Sequence, residues 1–216
     1  MIFYNTINES LHSTLLTLME SPEFMAFRLV GGTALSLQLG HRLSIDIDLF
    51  TDAPYGSINF KKLDKAIENR FPYYYHFSNI DPAIGKSYRI GMEEESLIKV
   101  DVFYTDPFIG SPLIVDGIRM ATIEEIIAMK LDVVQRGGRK KDFWDLHELF
   151  LHYNIGKMLE LHKARYPYNH DEKLILQNLI NFEKADDDFT PVCLRGKYWE
   201  FIKDDIENIL KAWNPE

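Results

Sequence analysis

Two aspartates set two residues apart in an apolar stretch are the residues of this chain best suited to chemistry. Asp46 and Asp48 alternate with Ile45, Ile47 and Leu49, and a two-residue period is typical of a β-strand. Both carboxylates therefore point to one side, with Cα atoms about 6.6 Å apart, and can reach one Mg²⁺ or two neighbouring ions. The aliphatic residues are expected to face a core. Taken alone, such a pair is also compatible with the solvated face of an edge strand.

A Gly-Gly pair precedes this strand at a distance that suits phosphate binding. Gly31 and Gly32 follow a predicted short strand at residues 27–30, and Thr33 can cap a helix predicted for residues 34–39. Free N–H groups at such a turn and helix start bind anions. Most Gly-Gly pairs are only turns, but the short helix here returns the chain directly to the aspartates. Glycines and carboxylates can therefore meet at adjacent strand ends.

A third acid, Asp101, lies between Val100 and Val102 in a predicted strand at residues 97–104. A lone aspartate between valines is costly to bury without a partner. Together with Asp46 and Asp48, it would complete a carboxylate triad for in-line attack on phosphorus with one or two Mg²⁺ ions. The alternative is that Asp101 faces solvent on an edge strand.

Charged residues cluster further along the chain. Lys130 lies between apolar neighbours on a predicted helix, so its ammonium group must find solvent or an anion. Asp142 and Asp145 share one face of the next helix. One of them can orient Lys130 or Arg136 or act as a base toward the acceptor hydroxyl; alternatively they are ordinary aspartates at a helix N-terminus, which the helix dipole favours. Four cationic residues lie within six positions: Arg136, Arg139, Lys140 and Lys141. They can neutralise phosphates or stabilise a helix end.

In combination, these motifs resemble the nucleotidyltransferases of the AbiEii/AbiGii-type abortive-infection toxins, a family of the DNA polymerase β-like superfamily. The resemblance rests on G-G-T-A-L at 31–35, R-x-S-x-D-x-D-x-F at 42–50, the Lys99-Val100-Asp101 strand, and K-L-x(4)-R followed by [KR]-D-x-x-D-L at 130–146. It covers about the first 150 residues. The Gly137-Gly138 pair departs from the pattern because it tightens the link between two helices.

The resemblance implies transfer of a nucleoside monophosphate from an NTP to an acceptor hydroxyl, with one or two Mg²⁺ ions as cofactor. Asp46, Asp48 and Asp101 would bind the metal, and Lys130 and Asp142 would join them in catalysis. The implied substrate-binding residues are Gly31, Gly32, Thr33, Arg42, Ser44, Arg136, Lys141 and Asp145. Implied partners are tRNA or another RNA as acceptor and a cognate antitoxin. Protein nucleotidylation is an alternative reaction, and a nucleotide- or antitoxin-binding module with little turnover is an alternative function.

Composition agrees with a cytoplasmic enzyme. The 216 residues are 46% hydrophobic, which is enough for one core and a small second one. A single cysteine, Cys193, excludes a disulfide framework and a cysteine-rich metal site. No apolar run approaches the length of a membrane span, and the first residues lack a signal-like pattern, so we expect no membrane partner and a cytoplasmic location. The net charge of −9 disfavours broad, nonspecific adhesion to nucleic acid.

Helical and extended patterns alternate in the first half of the chain, and the last third is helical. Helices are predicted at residues 7–19, 34–39, 60–69, 123–136, 140–152, 156–165, 170–184 and 197–212. Strands are predicted at 27–30, 44–50, 73–77, 86–92, 97–104 and 118–121, with a hairpin joining 86–92 to 97–104. With the resemblance, this predicts an α+β fold: a polymerase-β-like nucleotidyltransferase core with a mixed sheet flanked by helices, followed by a C-terminal helical region. We expect the core at residues 1–121, and at 122–216 a helical domain that completes the nucleotide site and faces the acceptor.

Overall fold

A mixed sheet of seven strands organises the first part of the chain in the computed structural model, which describes residues 2–76 and 83–213. The strands are β1 (Arg28–Leu29), β2 (Asp46–Thr51), β3 (Tyr73–His76), β4 (Gly85–Gly91), β5 (Ile98–Tyr104), β6 (Leu113–Val115) and β7 (Ile118–Met120). Their order across the sheet is β3-β4-β5-β2-β1-β7-β6. The pairs β2–β5 and β1–β7 are parallel, and the other neighbours are antiparallel. The predicted mixed sheet and its β4–β5 hairpin are confirmed.

Three helices accompany this sheet: α1 (Glu9–Glu20), α2 (Gly31–Leu39) and α3 (Phe60–Arg70). Asn8 and Asn59 cap α1 and α3, because their side-chain oxygens accept backbone N–H bonds from the first turn. The leucines of α1 recur at helical spacing, are fully buried and face the sheet: Leu11, Leu15 and Leu18. The predicted helices at 7–19 and 60–69 are thus confirmed to within two residues.

Strand β2 shows the alternation predicted from its sequence. Ile47 and Leu49 are fully buried, and Asp46 and Asp48 lie on the more open face. The expectation for Ile45 is wrong, because this side chain is 70% exposed. The strand begins two residues later than predicted, at Asp46, so Ile45 is not held against the core.

A second unit is helical. The chain divides into Met1–Gly40 with Ser44–Thr122, and His41–Leu43 with Ile123–Glu216. The second unit contains α4 (Ile123–Gln135), α5 (Lys140–Leu149), α6 (Ile155–Arg165), α7 (Glu172–Leu179), α8 (Glu183–Asp186) and α9 (Trp199–Ala212). Trp144 of α5 and Trp199 of α9 are buried with their rings stacked, centroids 6.5 Å apart. Aromatic packing of this kind joins helices.

Several predicted boundaries are wrong. The helix predicted at 170–184 is two helices, and between them the Asn181 side chain accepts the Glu183 N–H. Asparagine side chains of this kind compete with helical hydrogen bonds. The sequence did not indicate β6, which has three residues and no visible alternation. The predicted end of the third strand, Phe77, lies outside the described residues. Within the described ranges, no helix combines the length and apolar character needed to cross a membrane.

Candidate active site

Three aspartates meet on neighbouring strands of the first unit. Across the parallel β2–β5 pair, the Cα of Asp48 is the partner of Asp101, and the Cα of Asp46 is the partner of Lys99. Adjacent strands lie about 4.8 Å apart, so the three carboxylates occupy one small area of the sheet. All three side chains are half-buried. The parallel pairing could not be read from the sequence, because it joins residues more than 50 positions apart.

Gly31 lies directly against Asp48. Helix α2 begins at Gly31, whose φ is +67°, and a Cβ atom added there would lie 2.7 Å from Oδ2 of Asp48. The neighbouring Val30 N–H donates to the Asp48 carbonyl at 2.9 Å. Only glycine combines this backbone angle with so close an approach. The N-terminus of a nine-residue helix, with Gly32 in its first turn, therefore starts beside a carboxylate of the triad.

The predicted cap at Thr33 is wrong, because α2 begins two residues earlier and Thr33 lies inside it. The Thr33 side chain is buried, and its hydroxyl donates to the Asp46 carbonyl oxygen. Since that bond uses the Thr33 proton, Ser44 is the donor in the second contact, which is 2.8 Å long between the two hydroxyl oxygens. These two hydroxyls fasten the start of β2 to α2, and so position the aspartates relative to Gly31.

A lysine contacts one of the three acids. Nζ of Lys99 lies 2.5 Å from Oδ2 of Asp101. Partial burial lowers the pKa of Lys99, but its hydrogen bond to Asp101 and the charges of Asp101, Asp46 and Asp48 outweigh that effect and raise the pKa above its ordinary value. The sequence interpretation did not single out Lys99 as a site residue. Its position two residues before Asp101, on the same face of an alternating strand, is the signal that could have found it.

The acids suit a hard cation that brings further ligands with it. In the described ranges, no three His, Cys, Asp or Glu residues form a group able to hold a metal ion unaided. Oδ1 of Asp101 is nevertheless buried and has no hydrogen-bond partner, which is costly for a carboxylate oxygen. Mg²⁺ in phosphoryl-transfer sites commonly takes one or two carboxylates and completes its shell with phosphates and water. Asp46, Asp48 and Asp101 therefore fit Mg²⁺ that is bound together with a triphosphate.

The same open face continues over β4 and β3. Arg89 is the cross-strand partner of Lys99, and Tyr75 is the partner of Arg89. With Asp46, these residues form one row across four strands, while Ser87 lies opposite Asp101 in the next row. The Arg89 side chain is exposed, and Tyr75 is 48% exposed. The sequence interpretation did not connect Arg89 or Tyr75 with the acids.

In the second unit, Asp145 is the centre of a buried ionic cluster. It is fully buried and accepts hydrogen bonds from Arg42 at 2.6 and 2.8 Å and from His41 at 2.7 Å, and it lies 2.6 Å from Nζ of Lys130. Burial alone would raise the pKa of Asp145, but Arg42, Lys130 and the hydrogen bond with His41 hold it well below its usual value. An antiparallel bridge between Arg42 and Cys193 ties this segment to the helical unit.

Lys130 belongs to the same cluster. Its Nζ lies 2.6 Å from Asp142 and 2.6 Å from Asp145. Burial lowers the pKa of Lys130, and the charges of the two aspartates reverse that effect and raise it. Asp142 also accepts the N–H of Arg139, and so caps α5. The described contacts thus use Lys130, Asp142, Asp145 and Arg42 to join α4, α5 and residues 41–43. Their expected roles toward substrate stay predictions.

The remaining expected substrate residues lie near the α4–α5 link. Arg136 is 67% exposed and pairs with Asp132 at 2.6 Å. Lys141 is half-buried in the first turn of α5 and makes no ion pair with a described residue. Gly137 has a φ of +86°, which allows the sharp link between the two helices. Contacts of Arg136 and Lys141 with phosphates stay predictions.

Comparisons with known proteins point to one family. A family model described as "Nucleotidyl transferase AbiEii toxin, Type IV TA system" matches residues 13–214. The uncharacterized protein aq_aa25 of Aquifex aeolicus (strain VF5) is 30% identical over 199 residues, which cover 87% of each chain.

Solved structures share the fold at lower identity. JHP933 from Helicobacter pylori superposes with a TM-score of 0.57 at 21% identity, covering 93% of this chain and 87% of its own. The nucleotidyltransferase toxin MenT4 from Mycobacterium tuberculosis H37Rv has a TM-score of 0.53 at 14% identity, with coverages of 91% and 84%. The predicted α+β, polymerase-β-like nucleotidyltransferase fold is thereby confirmed.

Proposed function

Because this chain belongs to the AbiEii nucleotidyl transferase toxin family and is a nucleotidyltransferase, we propose that it moves a nucleoside monophosphate from a Mg²⁺-bound NTP to a hydroxyl of an RNA acceptor and releases pyrophosphate. The observation that carries this proposal is the cross-strand pairing of Asp48 with Asp101, with Asp46 beside them and Gly31 against Asp48. This arrangement offers three carboxylates and a helix N-terminus to one ligand.

The three aspartates would hold the metal and the attacking group. A bound Mg²⁺ supplies charge neutralisation for the triphosphate and for the pyrophosphate that leaves. Asp46 and Asp48 project from one strand and would share the ligation. Asp101 projects from the neighbouring strand, and its buried Oδ1 without a partner is suited to ligate the same ion and to accept the proton of the acceptor hydroxyl.

Phosphates of the NTP would lie at the start of α2. The first backbone N–H groups of a helix have no partner within the helix, and the helix dipole favours negative charge there. Gly31 and Gly32 place no side chain over these groups, so a phosphate oxygen can approach them closely. Thr33 and Ser44 hold α2 against β2 and so keep the phosphate site aligned with the aspartates.

The acceptor would approach from the β4 side of the acids. A polynucleotide needs a cation for its phosphate and an aromatic surface for its bases. Arg89 and Tyr75 extend the row that begins at Asp46, about 10 and 14 Å from it at the usual strand spacing. This order favours a single-stranded RNA as acceptor, and tRNA is the candidate to test first.

A toxin role accompanies this activity. Membership of a toxin–antitoxin family implies an antitoxin as partner. We propose a cytoplasmic site of action, because NTPs and RNA acceptors are available there. The protein-nucleotidylating alternative uses the same aspartates, and the binding-module alternative uses the same nucleotide site without turnover.

One labelling experiment separates these alternatives. The full chain is incubated with each α-³²P-labelled NTP, Mg²⁺ and either total tRNA or cell protein. Asp46→Asn and Asp48→Asn are compared with Asp106→Asn, which removes an exposed aspartate outside the site. Label on RNA that disappears only in the first two variants supports the proposal. Label on protein favours the hypothesis of protein nucleotidylation. Tight Mg²⁺–NTP binding without any transfer favours the hypothesis of a binding module.

A further inference from the structure

Lys99 holds the position of a counter-ion among the three acids. Its ammonium contacts Oδ2 of Asp101 at 2.5 Å, and its Cα is the cross-strand partner of Asp46. The four groups together carry a formal charge of −2 rather than −3.

Packing alone does not hold Lys99 against Asp101. The Lys99 side chain is 45% exposed, whereas that of Asp101 is only 18% exposed, so a lysine with a long flexible stem could equally extend into water. Its ammonium group instead contacts Asp101, whose other carboxylate oxygen, Oδ1, is buried without a hydrogen-bond partner. Lys99 and a metal ion therefore compete for the same carboxylate.

We propose that Lys99 is a counter-ion that weakens the binding of free divalent cations to the three acids. Its ammonium group is displaced when metal and triphosphate bind together. This inference rests on the proposed role of Asp46, Asp48 and Asp101 as metal ligands. A free divalent ion must displace the ammonium without giving it a new partner. A triphosphate brings several negative charges, to which the displaced ammonium can turn.

Metal and nucleotide binding should consequently be coupled. Displacing Lys99 weakens the binding of the metal alone, and the nucleotide offsets this free-energy cost. Each ligand therefore raises the affinity of the chain for the other by the same factor. Lys99 acts here as a positioning residue, because it works through the aspartates. A purely structural role for Lys99 would leave this coupling unchanged.

Direct metal binding tests the inference without any turnover. Mn²⁺ serves as the probe, and electron paramagnetic resonance measures its free concentration in the presence of the full chain, with and without a non-hydrolysable NTP analogue. Lys99→Met and Lys99→Gln remove the charge, and Lys99→Arg keeps it. Lys62→Met is the matched control, because Lys62 is an exposed lysine on α3.

We expect Lys99→Met and Lys99→Gln to bind Mn²⁺ alone about tenfold more tightly than the wild-type chain, which is the scale expected for removing one like charge a few ångström from a divalent ion. In both variants the gain in Mn²⁺ affinity caused by the analogue should shrink by a similar factor. Lys99→Arg and Lys62→Met should match the wild-type chain.

The outcomes distinguish this inference from the proposed function. If the wild-type chain binds Mn²⁺ with the analogue, but neither neutral variant binds Mn²⁺ alone more tightly, the counter-ion role of Lys99 is wrong and the metal site stands. If no form of the chain binds Mn²⁺ even with the analogue, both are wrong. Circular dichroism of each variant, compared with the wild-type spectrum, identifies a folding defect, and the second neutral variant then decides.

Discussion

Gly31 and Asp48 approach so closely that a single added carbon would collide with the carboxylate. A Cβ atom on Gly31 would lie 2.7 Å from Oδ2 of Asp48, and the Gly31 φ of +67° is itself unfavourable for other residues. The contact joins the helix start that is proposed for phosphate binding to one of the proposed metal ligands. Any residue larger than glycine must move one of the two.

Gly31→Ala should therefore stop nucleotide transfer at a modest cost in stability. The expected loss of transfer rate is about 100-fold or more, because a displacement of about 1 Å at a reacting centre has effects of that size. The matched control is Gly117→Ala in the turn between β6 and β7, where φ is +80° and nothing lies within 4 Å of the added carbon. Both variants should lose about 1–2 kcal/mol of unfolding free energy. Equal transfer rates in the two variants would contradict the proposed role of the contact.

Arg89→Ala should weaken acceptor binding selectively. Loss of one phosphate contact is expected to raise the KM for the RNA by about tenfold, while the KM for the NTP stays within about twofold. Steady-state transfer kinetics with each substrate varied in turn measure both values. Lys62→Ala removes a cation of the same unit outside this row and should leave both unchanged. A change in the KM for the NTP alone would place Arg89 at the nucleotide instead.

Asp145→Asn should destabilise the helical unit strongly. The variant leaves Arg42 and Lys130 buried with less negative charge to offset them, and breaking a buried pair in this way typically costs about 3–5 kcal/mol. The tryptophans of the chain all lie in this unit, so their fluorescence during urea unfolding reports its stability.

Asp188→Asn provides the comparison for Asp145. Asp188 pairs with Arg139, whose side chain is 58% exposed, and exposed pairs contribute less than about 1 kcal/mol. A cost for Asp145→Asn no larger than that of Asp188→Asn would show that the buried cluster does not hold the helices together.

His162 should make stability depend on pH. Burial, the neighbouring His170 and the charge of Arg136 lower the pKa of His162 to about 4, and its Nδ1 lies 2.8 Å from Nδ1 of His170. Asp132 is 3.9 Å from Nε2 and does not reverse the shift. Since the folded pKa is below the unfolded value of about 6.5, the unfolded chain binds more protons between these values. The free energy of unfolding should therefore fall as pH decreases from about 6.5 to about 4.

A pair of histidine variants tests this dependence. His162→Gln should reduce the slope of unfolding free energy against pH in that window by up to about one proton. His152→Gln, at an exposed position, should keep the wild-type slope. Urea unfolding at several pH values between 4 and 7.5 measures both. A wild-type slope in His162→Gln would contradict the assignment.

The strands that carry the three aspartates could be predicted from the sequence, but the pairing of those strands could not. A period of two is a local property, so the common direction of Asp46 and Asp48 and the strand around Asp101 could be read from the residues. The register that pairs Asp48 with Asp101 depends on contacts between distant segments. No local pattern encodes such a register.

Lys130 and Asp145 show the same limit. The sequence suggested that Asp142 or Asp145 could orient Lys130, and both carboxylates contact it in the structure, but nothing in the sequence indicated that Arg42, 103 positions from Asp145, joins them. A charged residue in a sequence shows that a partner is required but not which one. The short helix α2 began earlier than predicted, because Gly31 has no Cβ and can start the helix with a φ of +67°.

The most direct test of the central claim is the rate at which Asp48→Asn transfers label from an α-³²P-labelled NTP to RNA, relative to the wild-type chain. We predict a loss of transfer rate of about 1000-fold or more, because the substitution removes a carboxylate charge that no other group replaces. Asp106→Asn should transfer at the wild-type rate, and circular dichroism should show both variants folded. A folded Asp48→Asn variant that retains a tenth or more of the wild-type rate would contradict a nucleotidyl transfer centred on Asp46, Asp48 and Asp101.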